Sequence, residues 1–569
     1  MRRTHTCGEL NSKSINKNVV LQGWVAKVRK MGGMNFVDLR DQYGITQLII
    51  KDSVEIKNEY VIEVEGKVIK RKSINEKIST GEIEIEVTKL TVINKSLLTP
   101  FEIKDDVQTS DDTRMKYRYL DIRRPIIAKN LIARSKMNNV IRNYFTKNNF
   151  IEIETPIFGK STPEGARDFL VPSRINKHHF YALPQSPQLY KQLFMVGGID
   201  RYFQIAKCFR DEDLRIDRQP EFTQLDMEMA FAKKEDVMAI IESLMVEILK
   251  EIKDVSITKP FKQITWDEAI DKYGIDKPDL RFGLEIKTLN KIFSETEIPL
   301  FTNLDKKSIR AICVEKLIGK KELERLSETS KQNGINILGF AKFESNNWSG
   351  SIGGKLSNQE KLSLINEFNI KKPSTLLFVV DEYYKASKVM GALRNEAARI
   401  YELADSNKFE LLWVIDFPLY EFSEEENRFV AAHHPFTMPQ EEFLDSFDSD
   451  MLNAKAAAYD IVMNGFEIGG GSQRITDNQL QARMFKSVGL TDLQVQNNFG
   501  WFVNAYNYGA PYHAGLALGL DRIIMILTGA ENIRDVIAFP KNSSGIDMMN
   551  DAPSKVDEKQ LLELQIKLK

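Results

Sequence analysis

Tyr202–Glu228 reads YFQIAKCFRDEDLRIDRQPEFTQLDME. Apolar and β-branched residues run to Phe209, a dense block of charge spans Arg210–Arg218, and a second strand-like run follows Pro220. Two such runs around a charged connector predict a long antiparallel hairpin. Side chains alternate along the return strand, so Phe222, Gln224, Asp226 and Glu228 share one face and Thr223, Leu225 and Met227 the other. One ring beside three polar groups makes a poor core, but a suitable floor for a ligand with a flat base and charged parts. Arg210 and Glu212 stand where the outgoing strand enters the connector, Arg218 and Gln219 where the connector closes. Most charged loops are simply solvated, so the hairpin gains a function only from what surrounds it.

At 569 residues the chain has room for about three or four domains. Its 42% hydrophobic and 28% charged residues are those of a soluble globular protein, and a formal net charge of −1 gives no global basic field. A nucleic-acid partner would have to meet local basic patches. Cys7, Cys208 and Cys313 are far apart and odd in number, which excludes a disulfide framework and a cysteine zinc site and suits a reducing compartment. The opening MRRTHTCGEL has no apolar signal region, and no apolar run nears the roughly 20 residues that cross a membrane. A cytoplasmic protein is expected.

Residues 1–104 hold five short strand patterns: Val19–Val28, Asn35–Arg40, Ile45–Ile50, Tyr60–Lys70 and Glu82–Ile93. That density predicts a small barrel or sandwich. Phe36 and Gln47 fall on a hairpin turning at Gln42–Gly44, with Arg29 and Lys30 just before it. An aromatic, an amide and nearby cations on a barrel face suit single-stranded bases, although Phe36 alone would be core. A charged linker occupies 105–128. Helical spacing over Asn130–Asn149 leads to the strand FIEIETP, halted by Pro156, and then to the turn-rich STPEGARD carrying Glu164. In QSPQLYKQLF, Ser186 caps a helix with Pro187 at its first position, placing Gln188 and Lys191 on one face. Residues 282–406 show strand signals at Ile335–Phe343 and Leu376–Val380, a helix near Lys385–Tyr401 and no chemical motif, and read as an inserted α+β domain between core segments 129–281 and 407–569.

After the strand LLWVIDFPLY comes His433-His434-Pro435-Phe436-Thr437; alternation in an extended chain predicts that one of the two histidines faces a pocket. In YDIVMNGFEIGGGSQR, Asn464-Gly465 is a strong hairpin signal that pairs Val462 with Glu467. Asp460 then shares the face of Glu467, and two apposed carboxylates call for a cation such as Mg²⁺, which commonly bridges carboxylates to phosphates. Gly469–Gly471 lets a ligand approach the backbone, and Arg474 lies just beyond. Finally, GLALGLDR is a strand leading into a helix, where Asp521 and Arg522 open the first turn; a helix N-terminus with an arginine suits phosphate.

Taken together, FIEIETP, FRDEDLRIDRQPEFTQLD and GLALGLDR resemble motifs 1, 2 and 3 of class II aminoacyl-tRNA synthetases. QSPQLYK, TPEGARD, HHPFT, GFEIGGGS and the inserted segment resemble most closely the bacterial aspartyl type. The resemblance covers nearly the whole chain. It implies an α+β architecture: an antiparallel sheet with flanking helices, an N-terminal OB-fold anticodon domain and an inserted α+β domain, assembled as a homodimer partly through motif 1. It also implies L-aspartate, ATP, Mg²⁺ and tRNA(Asp) as ligands. Arg210 and Arg522 would be catalytic; Arg210, Asp211, Glu212, Gln219, Phe222, Glu467, Gly519, Leu520, Asp521 and Arg522 would meet ATP. Glu164, Ser186, Gln188, Lys191, Arg210, Asp226, His433 and Arg474 would hold aspartate, Asp460 and Glu467 the metal, and Arg29, Phe36 and Gln47 the anticodon. An asparaginyl enzyme is disfavoured by Lys191 and the inserted domain, which that relative lacks. A non-catalytic tRNA-binding paralogue is disfavoured because no motif residue is broken, and a barrel-only nucleic-acid binder leaves most of the chain without a purpose.

Overall fold

A computed structural model describes residues 2–568 apart from positions 52, 53, 163–165, 303 and 425. The chain forms two compact units, residues 1–133 with 534–555 and residues 134–533 with 556–569.

The first unit contains a closed barrel of five strands. Asn18–Met31 pairs with Met34–Arg40, that with Ile45–Ile50, that in parallel with Ile83–Asn94, and Val61–Lys70 closes the ring. Inward positions alternate with outward ones, and Leu21, Val25, Val37, Leu39, Leu48, Ile62, Val64 and Ile85 fill the interior. Closure removes sheet edges. The charged segment 105–128 contains a packed node of ion pairs. Buried Asp121 accepts from Arg118 at 2.6 Å, Arg124 at 2.7 Å and Arg114 at 3.1 Å. Arg118 also donates to the carbonyls of Arg534, Ile537 and Ala538, in the segment 534–555 that belongs to this unit. The composition of the segment marks its charge but not these partners, which lie some 420 residues away.

The second unit is organised on an eight-stranded sheet. Its spatial order is Lys262–Thr265, Leu411–Ile415, Ala458–Met463, Phe466–Gln473, His513–Gly519, Glu221–Ala230, Arg201–Phe209 and Ile151–Glu152. The predicted hairpin lies inside it, running antiparallel from Glu221↔Phe209 to Met229↔Arg201. Only the two outermost pairs, at either edge, are parallel. The sheet's polar handles are satisfied where it is thickest: Trp413 donates to Glu242 at 3.0 Å and Tyr459 to the Gly515 carbonyl at 2.9 Å. Helix Pro125–Lys147, longer than the spacing predicted, lays Phe145 on Phe203 with ring centroids 4.8 Å apart.

The inserted segment forms its own five-stranded sheet, which includes a strand, Lys307–Val314, that the sequence did not reveal. Apolar clusters cover both of its faces. Two fully buried arginines fasten it to the core. Arg310 donates to Asp271 at 2.8 Å and lies over Tyr383. Arg394 donates to the carbonyls of Asp279 at 2.8 Å, Phe282 at 3.1 Å and Gly283 at 2.9 Å, sandwiched between the Tyr273 and Phe282 rings. Among the described residues no helix is long and apolar enough to cross a membrane.

Arg394→Met keeps most of the bulk but strips three carbonyls of their buried donor. Opening of the inserted sheet, read by amide hydrogen exchange in Lys307–Val314, is expected to become easier by about 2–4 kcal/mol. A change under roughly 0.5 kcal/mol would show that the clamp is not what holds the insert.

Candidate functional site

Strands Glu221–Ala230, His513–Gly519, Phe466–Gln473 and Ala458–Met463 carry on one face a cavity of about 490 Å³, within the range of small-molecule sites. The hairpin tip and the helix Leu520–Thr528 close its sides.

At one end the lining is Arg210, Glu212, Arg218, Gln219 and Phe222, with Asp521, Arg522 and Gly519 opposite. The Arg210 guanidinium lies over the Phe222 ring at 5.1 Å, leaving a cationic and an aromatic surface side by side. Arg218 pairs with Glu212 at 2.7 Å, and Arg522 with Asp217 at 2.9 Å while also donating to the Glu467 carbonyl. Asp217, unmarked in the sequence reading, is therefore part of the site. Asp521 accepts from the Thr223 backbone N–H at 2.7 Å and from Arg134, pinning the helix start to the hairpin. Its carboxylate is a fastener rather than a ligand contact. Asp211 and Leu520 do not line the cavity: Asp211 is exposed with its backbone bonded to the Arg167 carbonyl, and Leu520 is core.

Asn464 and Gly465 form the expected two-residue turn, with φ of 53° and 83°, as such hairpins require. Val462 pairs with Glu467 as predicted, but a bulge between Ile461 and Val462 shifts the register so that Asp460 faces Gly470. A Cβ at 470 would stand 2.3 Å from Asp460 Oδ1, while at 469 and 471 it would strike the Ala517 and Gly515 carbonyls. The glycine run thus serves strand packing as much as ligand approach. Asp460 and Glu467 both line the cavity. Burial first, and Glu467 next, push the Asp460 carboxyl well above its usual range. Two carboxylates held together at such cost fit a divalent cation that they would share with phosphates. Among the described residues no cluster of three or more acidic, histidine or cysteine side chains forms a self-sufficient metal site.

At the other end, charge goes below the surface. Helix Gln188–Val196 begins one residue later than expected: Pro187 is its cap, and Ser186 Oγ accepts from the Gln188 N–H at 3.0 Å. Ser186 and Gln188 line the cavity. Lys191 is buried behind them, 2.7 Å from Asp226 and 3.2 Å from Glu228. Burial alone would depress its ammonium, but Asp226 and Glu228 reverse this and hold it above its ordinary value. Burial raises Asp226, and raises Glu228 from 4.5 to about 7, against the opposing pull of Lys191. Arg474, buried and lowered by burial to about 10, donates to Gln192 at 3.0 Å and to Gln481, under the Phe436, Phe502 and Tyr506 rings. Neither Lys191 nor Arg474 forms the lining itself; Asp226 and the histidines stand in front. Lys191 and Arg474 thus lie buried beside two carboxyls that burial holds toward their protonated forms.

Both histidines line the cavity, correcting the expectation of one. The segment turns at Pro435 instead of running extended, so alternation does not apply. His433 stands at the open mouth, edge-on to Phe417 at 4.8 Å. Gln192, Gln481 and Tyr506 had no signal in the sequence. Glu164 lies outside the described residues.

In the barrel, Phe36 is half-buried on the outer wall. Arg29 is doubly bonded to Asp38, 2.7 Å each, and reaches Gln47 at 3.0 Å. Gln47 is buried and spent, accepting also from Arg71 at 2.8 Å and donating to Glu84 at 2.6 Å. It holds two guanidinium groups in place and is not a free reader of base edges.

A family model for tRNA synthetases class II (D, K and N) matches residues 110–543, and one for an OB-fold nucleic acid binding domain matches residues 19–93. The aspartate–tRNA ligase of Mycoplasma mycoides subsp. mycoides is 59% identical over 573 residues, covering 100% of each chain. The aspartate–tRNA(Asp/Asn) ligase of Caldanaerobacter subterraneus subsp. tengcongensis is 47% identical, covering 100% of this chain and 98% of its own. The asparaginyl-tRNA synthetase of Pyrococcus horikoshii, solved with asparaginyl-adenylate, superposes with a TM-score of 0.60 at 19% identity over 95% of this chain and 98% of that one; at that identity the likeness shows the fold.

Because the buried Glu228 carboxyl holds its proton more tightly in the folded than in the unfolded chain, it withdraws stability as pH rises from 4.5 to about 7. Glu228→Gln is expected to flatten that part of the stability–pH curve, measured by thermal unfolding at stepped pH; an unchanged slope would show that Glu228 is ionised throughout.

Proposed function

From the premise that this chain belongs to the class II tRNA synthetases of the D, K and N group, we propose the following course for its reaction. It is an aminoacyl-tRNA ligase, and its activity is the joining of aspartate to tRNA, as in the full-length relatives 59% identical to it. In the reading supported here, the substrate's α-carboxylate attacks the α-phosphorus of ATP. A carboxylate–phosphorus bond forms as the bond to pyrophosphate breaks, and the 3′ hydroxyl of tRNA(Asp) then displaces AMP from the adenylate. The nucleophile is already ionised, so no protein base is required. Alignment and charge neutralisation carry the rate.

Arg210 neutralises the α-phosphate and the attacking carboxylate, Phe222 stacks on the adenine, Glu212 and Gln219 contact the nucleotide, and Arg522 takes the γ-phosphate. The pairs Arg218–Glu212 and Arg522–Asp217 keep these cations in position in the free enzyme. Asp460 and Glu467 would hold Mg²⁺, which would supply neutralisation of phosphate charge there. Ser186, Gln188 and Glu164 bind the α-ammonium, and His433 closes the mouth.

The observation that carries the assignment is the buried cation pair Lys191 and Arg474 behind Asp226. A β-carboxylate satisfies both cations, whereas the neutral carboxamide of asparagine leaves positive charge buried and unmatched, a penalty that supports discrimination of roughly 10⁴. Anticodon binding falls to the barrel, with Phe36 as the stacking surface and Arg29 beside it. The apolar side chains Ile151, Ile157 and Phe158 lie exposed next to the sheet's short edge strand and support a homodimer joined there. Three free cysteines suit a reducing cytoplasm.

Purified protein is expected to catalyse Mg²⁺- and aspartate-dependent pyrophosphate–ATP exchange; exchange supported by asparagine would overturn the aspartyl assignment. Lys191→Met is expected to raise the KM for aspartate about 100-fold while changing that for ATP only a few-fold. Equal losses for both ligands would contradict the pocket assignment.

A further inference from the structure

His434 is used by none of the roles above, yet its surroundings are those of a ligand contact. The backbone N–H of Phe436 donates to His434 Nδ1 at 3.3 Å, so that nitrogen is the acceptor and the neutral ring carries its proton on Nε2. Nε2 is shielded from solvent and has no hydrogen-bond partner among the described residues. A buried donor left unpaired costs about 1–3 kcal/mol. The ring lies against Phe436 with centroids 4.3 Å apart, and the Arg474 guanidinium rests on the same Phe436 ring at 4.5 Å. Burial, then Arg474, lower the imidazole to about 3, so it is neutral at physiological pH. The side chain also lines the cavity at the end where Asp226 stands.

We propose that His434 is a further specificity-determining residue, donating its Nε2–H to the substrate's side-chain carboxylate, which Arg474 neutralises. The inference rests on the reading of this end of the cavity as the aspartate pocket. Its chemistry sharpens the choice between acid and amide. Arg474 and His434 both donate and neither accepts, Nδ1 being occupied. A carboxylate offers an accepting oxygen to each. A carboxamide has one accepting oxygen and one N–H donor at the same place, so one of the two must face a like donor. A neutral imidazole achieves this without adding a third buried cation beside Lys191 and Arg474.

The test compares wild type, His434→Phe and His434→Gln in pyrophosphate exchange, with asparagine as competitor and with melting temperatures measured without ligands. Phenylalanine keeps the ring and its packing but removes the donor; glutamine restores an N–H near the position of Nε2. Loss of a hydrogen bond to a charged group predicts that His434→Phe raises the KM for aspartate about 10- to 100-fold. The KM for ATP and the melting temperature should stay near wild type, asparagine should compete better relative to aspartate, and His434→Gln should recover most of the loss. A KM for aspartate within about 2-fold of wild type in His434→Phe would overturn the proposal, as would parallel losses for aspartate and ATP or a glutamine variant no better than phenylalanine. Absence of aspartate-dependent exchange in the wild type would instead remove the pocket assignment on which the proposal stands.

Discussion

A lysine ammonium buried between two carboxylates is the constraint around which the catalytic sheet is arranged. Lys191 sits 2.7 Å from Asp226 and 3.2 Å from Glu228, all three shielded from solvent. Charges taken out of water cost several kcal/mol each, and their attraction offsets that only when geometry is good. The neighbouring strand concedes space to secure it. A Cβ at position 515 would lie 1.9 Å from Glu228 Oε2, so glycine is required there, and His513 fills the adjoining space, 3.9 Å from Glu228. Burial raises both carboxyls, Glu228 to about 7, against the opposing pull of Lys191. Well-packed apolar residues would have been at least as stable. A charged cluster retained at this cost fits the aspartate pocket proposed above.

The nucleotide end is built on the opposite principle. There the cations are partly exposed and paired with flexible acidic partners, Arg218 with Glu212 and Arg522 with Asp217. Such pairs contribute little to stability, so in the proposed reading phosphates could replace the acidic partners at small cost. The fixed elements are the backbone of the helix start, pinned by Asp521 to Thr223, and the Phe222 face under Arg210. One cavity therefore joins an end with deeply buried charge to an end with half-exposed ion pairs, which fits the proposed aspartate and ATP ends.

Much of this was legible in the sequence because it is local. Two-residue periodicity gave the five barrel strands and the face of Phe222, Gln224, Asp226 and Glu228, and Asn464-Gly465 gave the hairpin that joins Asp460 to Glu467. What stayed hidden depends on distant partners or on departures from regular geometry. The bulge beside Ile461 leaves no mark in composition, and the turn at Pro435 brings His434 to the cavity wall against strand alternation. The arginines around Asp121 looked like part of a charged linker, although Arg118 donates to carbonyls near the far end of the chain. Gln192, Gln481 and Tyr506 hold Arg474 from three separate elements, a convergence that only the fold creates.

The central claim, that the buried Lys191 and Arg474 are the receptor for the substrate's side-chain carboxylate, is tested most directly by a crystal structure with a non-hydrolysable aspartyl-adenylate analogue. The account predicts that carboxylate between Lys191 and Arg474, the phosphoryl mimic against Arg210 and the adenine on Phe222. An analogue bound with its carboxylate at the open mouth, while Lys191 and Arg474 keep only their own protein partners, would contradict it.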